Sequence, residues 1–359
     1  MTTVTIKDIA RALGLAPSTV SMALNDHPRI STKTKQRVKA TARKLRYRPN
    51  LIARAMVRKQ THLIGLIVTD IMSSFFPQII QGIEDIISKR FYSAILCATN
   101  DESRREREYL TLMREKRVDG IIAEPAHGQT NLRLWREVMT RKIPLVSILR
   151  RLPVDDTVYV GVDNFKGGYI ATRHLIQQGH ETIGHLAGPE SLQVSADRCE
   201  GFMAALREKG LGVYEQLIIA TRFNWEEGYR AMRQMLERKP RPTGVFCASD
   251  IVAIGASYAI RESGLRVPQD IALVGFDDLF FASIAEVPLT TVAQPKYELG
   301  VLAAKKLQAI MQGKTTKSAV LEPHLVIRNS CGERLNAKAM TLATGPRASP
   351  QQQTETLPA

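Results

Sequence analysis

Apolar residues recur along the chain in two different rhythms. Through residues 5–47 the spacing is helical: Ile6, Ile9, Ala10 and Leu13 share one face. Thr5 caps that first helix, and Asp8 three residues on is its capping-box partner. Gly14 breaks it, and Pro17 suits the first position of a second helix that buries Val20, Ala23 and Leu24. Asn25-Asp26-His27-Pro28 ends the second helix. A third begins after Ser31, a good N-cap, and runs through Val38 and Leu45 to Tyr47. Arg48-Pro49-Asn50 is a break, since a residue before proline disfavours the helical region. Residues 50–58 follow as a short basic segment that can be helical.

From His62 onward short apolar strands alternate with amphipathic helices. Strands are expected at 62–68, 93–98, 120–124, 143–148, 158–162, 182–186, 217–220, 244–248 and 271–276, at Val292 and at 325–327. Helices are expected at 79–89, 104–116, 166–178, 196–209, 226–238, 251–263 and 297–311. Such alternation builds parallel sheets covered on both faces. The number of units exceeds one doubly wound sheet, so two similar subdomains are expected. They divide near Val160, and the chain crosses back near Thr290. The expected organisation is a head over 1–48, a linker or hinge helix over 49–60 and an α/β core over 61–332. Within the core, one subdomain takes 61–160 plus 291–318 and the other 161–290 plus 319–332. Residues 333–359 carry almost no large apolar side chain and are expected to be disordered.

Charge sharpens this division. The formal net charge is +15, and residues 1–60 hold fourteen Lys and Arg against Asp8 and Asp26 alone. Thus +12 sits in the first sixth of the chain, which points to a polyanionic partner for that end. No basic-then-apolar leader is visible at the start, and no apolar run approaches the roughly 20 residues that span a bilayer. The four cysteines are far apart and form no Cys-x-x-Cys, which fits a reducing cytoplasm rather than a zinc site or disulfide framework.

Two helices around a glycine turn have the form of a helix-turn-helix, whose second helix enters the DNA major groove. The residues between its apolar positions would then face DNA: Pro17, Ser18, Thr19, Ser21, Met22 and Asn25. Hydroxyls and amide can bond phosphates or base edges, while Met22 offers only apolar contact, for instance to a thymine methyl. Lys and Arg around them supply sequence-independent attraction. A three-helix bundle with a solvated basic face has the same pattern. In residues 50–58, Met56 between Arg54 and Arg58 suits a minor-groove wedge, and a solvated linker is the alternative.

Thr5-Ile-Lys-Asp-Ile-Ala-Arg-Ala-Leu-Gly-Leu-Ala-Pro-Ser-Thr-Val-Ser-Met-Ala-Leu-Asn resembles the opening helix-turn-helix of the lactose/galactose repressor (LacI/GalR) family. Tyr47-Arg-Pro-Asn followed by Ala53-Arg-Ala looks like that family's hinge helix. Matches continue in order through Val118-Asp-Gly-Ile-Ile, Val160-Gly-Val-Asp-Asn, Gly201-Phe-Met-Ala-Ala-Leu, Val274-Gly-Phe-Asp-Asp and Leu289-Thr-Thr-Val, covering roughly residues 3–330. The resemblance implies a homodimeric bacterial repressor with a core like periplasmic sugar-binding proteins. A small molecule in the cleft would alter the geometry of the paired heads. It adds Thr5, Ser31, Thr34, Asn50, Ala53 and Arg54 to the DNA-contacting set, and it places Met56 at the wedge position, where leucine is more usual. Met22 stands where the family usually has a base-reading arginine, and Ala16 where a serine caps the recognition helix.

Ligands of open parallel sheets bind beyond the carboxyl ends of the strands. Here that selects the stretch from Asp70 to Phe76, the stretch around Leu149, Asp163, the stretch from Gly188 to Arg198, Phe223, Asp250 and Asp277. Aromatic faces with an arginine and several carboxylates suit a hydroxylated ligand. By resemblance, Phe75, Phe76, Arg198, Phe223, Asp250 and Asp277 match effector-binding positions. Leu149 stands where sugar-binding relatives often carry aspartate, Ser249 where asparagine is common, and Leu192 where the purine-binding relative has arginine. These departures imply a pocket less polar than a typical hexose site. Each aspartate would serve equally as a helix cap at a strand–helix turn.

The chain lacks the phosphate-loop, dinucleotide, nucleophile-elbow and His-Glu-x-x-His motifs. No catalytic residue, cofactor or metal ligand is expected; His174, His180 and His185 are taken as structural or surface residues. The expected partners are double-stranded operator DNA, a small-molecule effector (a sugar or a sugar-derived compound) and a second copy of the chain. A transport-type binding protein fits the core but not the basic head. An architectural DNA binder without effector response, or a regulator dependent on a purine or another co-repressor, fits the head and stays open.

Overall fold

The computed structural model describes residues 4–47, 60–128 and 130–332. The expected wedge segment, with Asn50, Ala53, Arg54 and Met56, lies outside the described residues, as does the expected disordered tail from 333 onward. The chain divides at His62 into two compact units.

In the first unit, α1 (Ile6–Leu13), α2 (Pro17–Leu24) and α3 (Thr32–Lys44) close on a small core. Ile9, Val20, Ala23 and Val38 in that core are fully buried. The capping pair forms: the Thr5 backbone N–H donates to Asp8 Oδ2 at 2.9 Å. Gly14 takes the left-handed conformation at φ 65°. That lets the Leu15 N–H return to the Ala10 carbonyl at 3.0 Å, so the chain reverses into Pro17 within one turn.

The second unit holds two six-stranded sheets. The first orders as β2 (Ser93–Ala98), β1 (Leu63–Val68), β3 (Gly120–Ala123), β4 (Leu145–Ile148), β5 (Val158–Val162) and β11 (Ala319–Leu321). The second orders as β7 (Ile218–Ala220), β6 (Ile183–Ala187), β8 (Gly244–Cys247), β9 (Ala272–Asp277), β10 (Thr290–Ala293) and β12 (His324–Val326). All pairings are parallel except β10 with β12. Both sheets repeat the same doubly wound order, whose direction reverses beside β1 in one and β6 in the other.

The boundaries of the subdomains differ from expectation. The chain crosses after β10, so Thr291–Ala293 belong to the second sheet rather than the first. Residues 319–321 return to the first sheet, with Ala319 in register with Val160. The first subdomain also keeps all of β5, through Val162. The strand at 319–321 is an apolar run of only three residues, half-exposed and shorter than the roughly 4–8 residues by which a strand is read. Two helices, α6 (Leu132–Thr140) and α11 (Phe280–Ile284), were not expected.

The remaining helices are α4 (Phe76–Ile87), α5 (Ser103–Lys116), α7 (Asn164–Gln177), α8 (Gln193–Glu208), α9 (Trp225–Leu236), α10 (Asp250–Glu262) and α12 (Lys296–Met311). Helices α7 and α8 cross at reciprocal glycines. A Cβ at Gly168 would strike the Arg198 carbonyl, and one at Gly201 would strike the Phe165 carbonyl. The same device joins α9 to α10 through Gly228 and Gly255, and α4 to α12 through Gly82 and Gly300. Backbone-to-backbone approach of this kind fixes helix spacing tightly, because the interior has no slack to absorb even one methyl.

Candidate functional site

A cleft of about 1190 Å³ opens between the carboxyl ends of the two sheets. Phe75, Phe76 and Leu149 line it from the first subdomain, and Arg198, Phe223 and Asp277 from the second. Trp225, Leu192 and Leu279 extend its apolar lining.

Its second-subdomain wall is built on Arg198, which is 6% exposed. Its Nε donates to Asn164 Oδ1 at 2.8 Å and its Nη1 to the Ala248 carbonyl at 2.5 Å. Its guanidinium stacks 3.7 Å from the centre of the Phe276 ring. Asp277 Oδ1 stands 4.0 Å from Nη2 and accepts from Gln294 Nε2 at 2.6 Å. Burial lowers the affinity of Arg198 for its proton and raises that of Asp277; their mutual attraction offsets this loss of water only in part. Asp277 and Asp278 both take positive φ, 110° and 51°, a conformation that costs energy outside glycine. The turn is held because the buried Lys296 ammonium donates to both of their carbonyls, at 3.0 Å for Asp278.

The first-subdomain wall carries a charged cluster not read from the sequence. Arg150 grips Asp101 with both terminal nitrogens, at 2.6 and 3.2 Å, and its Nε lies 3.2 Å from Glu124. Thr69 donates to the other Glu124 oxygen at 2.5 Å. Burial pushes the Glu124 carboxyl up, against the pull of Arg150. Leu149 turns out of β4 at φ 60°, and the Tyr159 hydroxyl donates to its carbonyl at 3.1 Å. This turn sends both Leu149 and Arg150 into the cleft, where strand alternation would have sent one. As expected, Leu149 and Leu192 line the cleft; the charged cluster of Arg150, Glu124 and Asp101 stands beside them. Glu124 closes an expected strand, so the carboxyl-end rule could have found it. Arg150 falls in the stretch around Leu149 that the same rule selected, and Asp101 follows the expected strand at 93–98 by three residues.

Two expected effector residues do not face the cleft. Asp163 caps α7, accepting from the Lys166 N–H at 2.8 Å, while its neighbours Val162 and Asn164 line the cavity. Asp250 lies one layer beneath, fully buried, accepting from the Leu279 N–H at 2.7 Å and the Thr291 hydroxyl at 2.5 Å. Asp163 is claimed by a backbone donor of its own helix, as an N-cap is; Asp250 is not a cap, since Ser249 caps α10, and it is claimed by donors from β10 and from the turn after β9.

In the head, Thr5, Pro17, Ser18 and Asn25 are exposed, and Thr19, Ser21 and Met22 are half-buried on the open side of α2. Asn25 donates to the Ser21 carbonyl at 2.8 Å. Ser31 caps α3, its hydroxyl 2.9 Å from that of Thr34. Among the described residues, no helix is long and apolar enough to cross a membrane.

A helix-turn-helix joined to a two-lobed ligand cleft defines a ligand-binding transcription regulator. Residues 5–50 match the model of bacterial regulatory proteins of the lacI family, and residues 172–331 that of the periplasmic binding protein-like domain. The HTH-type transcriptional repressor PurR of Pectobacterium carotovorum subsp. carotovorum (strain PC1) is 36% identical over 332 residues, 92% of this chain and 97% of that protein. Among solved structures, a lac repressor dimer bound to operator and the anti-inducer ONPF matches with a TM-score of 0.82 at 27% identity, covering 92% of this chain and 99% of that one. A transcriptional regulator CelR–cellobiose complex matches with a TM-score of 0.70 at 31% identity, over 91% and 99%. The chain belongs to the lacI family of bacterial regulatory proteins.

Proposed function

We propose that the protein is a homodimeric repressor acting in the cytoplasm. Each head reads one half of a near-palindromic operator, and a sugar or sugar-derived effector in the cleft changes operator affinity. The observation that carries this reading is the joining, in one chain, of two features. One is a basic helix-turn-helix with the polar side of α2 open. The other is a cleft pairing aromatic faces with fixed carboxylates and guanidinium groups. Phe75, Phe223 and Trp225 offer faces to the apolar side of a sugar ring, while Asp277 and Glu124 offer acceptors to its hydroxyls. The operator and cellobiose complexes among its structural relatives support the two halves of the reading. Met56 is assigned as the apolar wedge at the operator centre, flanked by Arg54, with Asn50 and Ala53 beside it. Thr5, Ser31 and Thr34 join the α2 residues as DNA contacts. The effector binds without chemical change, and recovery of the bound molecule intact checks this.

The test is a selection of full-length protein against a random DNA library at fixed moderate salt. A palindrome with half-sites symmetric about a central step is expected. Enrichment of single unpaired half-sites, or of none in the presence and absence of a small-molecule extract, would overturn the reading.

A further inference from the structure

We propose that His127 is a positioning residue that ties the two walls of the cleft together through Ser191; this rests on the reading of the cleft as the effector site. His127 follows β3 in the first subdomain, and Ser191 lies between β6 and α8 in the second. The His127 Nε2 and the Ser191 Oγ share a hydrogen bond of 3.1 Å across the mouth.

The histidine is not a loose arm. Its backbone N–H donates to Asp101 Oδ1 at 2.7 Å, and its carbonyl accepts from the Ser103 hydroxyl at 3.3 Å. The same Asp101 carboxylate receives both terminal nitrogens of Arg150, which in turn pairs with Glu124. On the far side, Ser191 stands two residues before α8, the helix that carries Arg198. A continuous set of contacts thus runs from the charged first wall to the start of the second wall's arginine helix. Both side chains at the junction are exposed, so folding does not require them.

A hydrogen bond of this geometry survives only one spacing of the subdomains, since the interaction is gone beyond about 3.5 Å. A ligand that pulls on Arg150 or Glu124 also moves the anchor of His127, and closure of the mouth follows occupancy of the wall. One such bond biases an open–closed balance by between about twofold and tenfold. A bias of that size lets effector occupancy tip the balance without locking it.

The experiment uses full-length protein with the pair His127→Cys and Ser191→Cys, bridged by a short, reducible bis-methanethiosulfonate. The native cysteines are buried or half-buried, and each single variant serves as control. We expect complete bridging by intact mass and a change in affinity for the selected operator of tenfold or more, reversed by reductant. Folded protein that fails to bridge would show that the two loops are not neighbours in solution. Full bridging with operator affinity unchanged within twofold would remove the coupling. In a parallel cycle, His127→Ala, Ser191→Ala and the double variant should shift operator affinity equally; independent, multiplying effects would also overturn the latch. If wild-type protein selects no operator, the functional reading fails separately, and bridging still decides whether the residues meet.

Discussion

Arg198 lies over Phe276, with 3.7 Å between the guanidinium carbon and the ring centre, while its Nε and Nη1 donors are committed to Asn164 and Ala248. The arginine therefore acts less as a free hand for the effector than as the strut on which Asn164 and Asp277 are mounted. Stacking and a forked donor edge are both needed, and lysine supplies neither. Arg198→Met and Arg198→Lys should each abolish the effector response and leave operator selection intact. The methionine variant removes the guanidinium charge beside Asp277, which keeps only Gln294, and the donor to the Ala248 carbonyl, a loss of about 3–5 kcal/mol in urea unfolding. An effector response surviving in the lysine variant would assign the strut to another residue.

The crossing of α7 and α8 sets where that strut stands. Gly168 meets the backbone carbonyl of Arg198 itself, so an added methyl has only main chain to push against. Gly168→Ala should displace α8, cost about 1–3 kcal/mol as overpacking does, and weaken effector affinity more than operator affinity. Gly210→Ala is the contrast: it has open space around it but φ 69°, so its cost is conformational and local. Equal effects of the two variants on effector affinity would sever the link between crossing and site.

Strand–helix alternation made the sheets legible, because fully buried parallel strands leave unmistakable apolar runs such as Leu63–Val68 and Ala272–Phe276. The head was legible down to its caps at Thr5 and Ser31. What escaped was small or reciprocal. The strand at 319–321 has one exposed and two half-exposed positions, and its partner is 159 residues away. The helix at 132–140 was readable, for Trp135 and Val138 are spaced to share one buried face. In the cleft, the carboxyl-end rule located the walls, but it does not say which of several adjacent side chains turns inward. At Leu149–Arg150 a left-handed residue overrode the alternation, and at Asp163 a backbone donor, at Asp250 a backbone donor and the Thr291 hydroxyl, took the carboxylates that had been assigned to a ligand.

Met22 sits half-buried on α2 between the buried Val20 and Ala23, at the border of the open face. A methionine there can contact a thymine methyl but cannot fork onto a guanine edge. Met22→Arg should move the selected half-site toward guanine at one position, a discrimination of about 1–3 kcal/mol. By contrast, Lys33→Ala and Arg37→Ala should weaken all sequences alike and flatten the salt dependence. Repeating the library selection with each variant checks both, and an unchanged half-site with Met22→Arg would place that side chain away from the base edges.

Two buried groups set opposing dependences of stability on pH. Burial, then the charge of Asp277, raises the Asp250 carboxyl to about 8. In the unfolded chain it titrates near its ordinary value of about 3.9. Between those values the folded state holds the extra proton, so stability from this group falls as pH rises through about 4 to 8. His185 is the reverse. It is wholly buried between Phe202 and Phe246, bonded at Nδ1 to the Phe246 carbonyl, and burial lowers its imidazole to about 4. Its unfolded value is near 6.5, so the unfolded chain takes the proton first and stability falls as pH drops from about 6.5 to 4. Asp250→Asn separates the two. The amide can still accept from the Leu279 N–H, and it can donate to Thr291 with the hydroxyl turned to receive. Urea unfolding between pH 5 and 8 should show the variant gaining on wild type by up to about 1.4 kcal/mol per pH unit as pH rises; below pH 6.5 the variant loses stability through His185, while in wild type the proton taken up by Asp250 offsets that loss. Parallel curves over the whole range would mean that Asp250 is ionised in the fold, held by more than the two donors now seen.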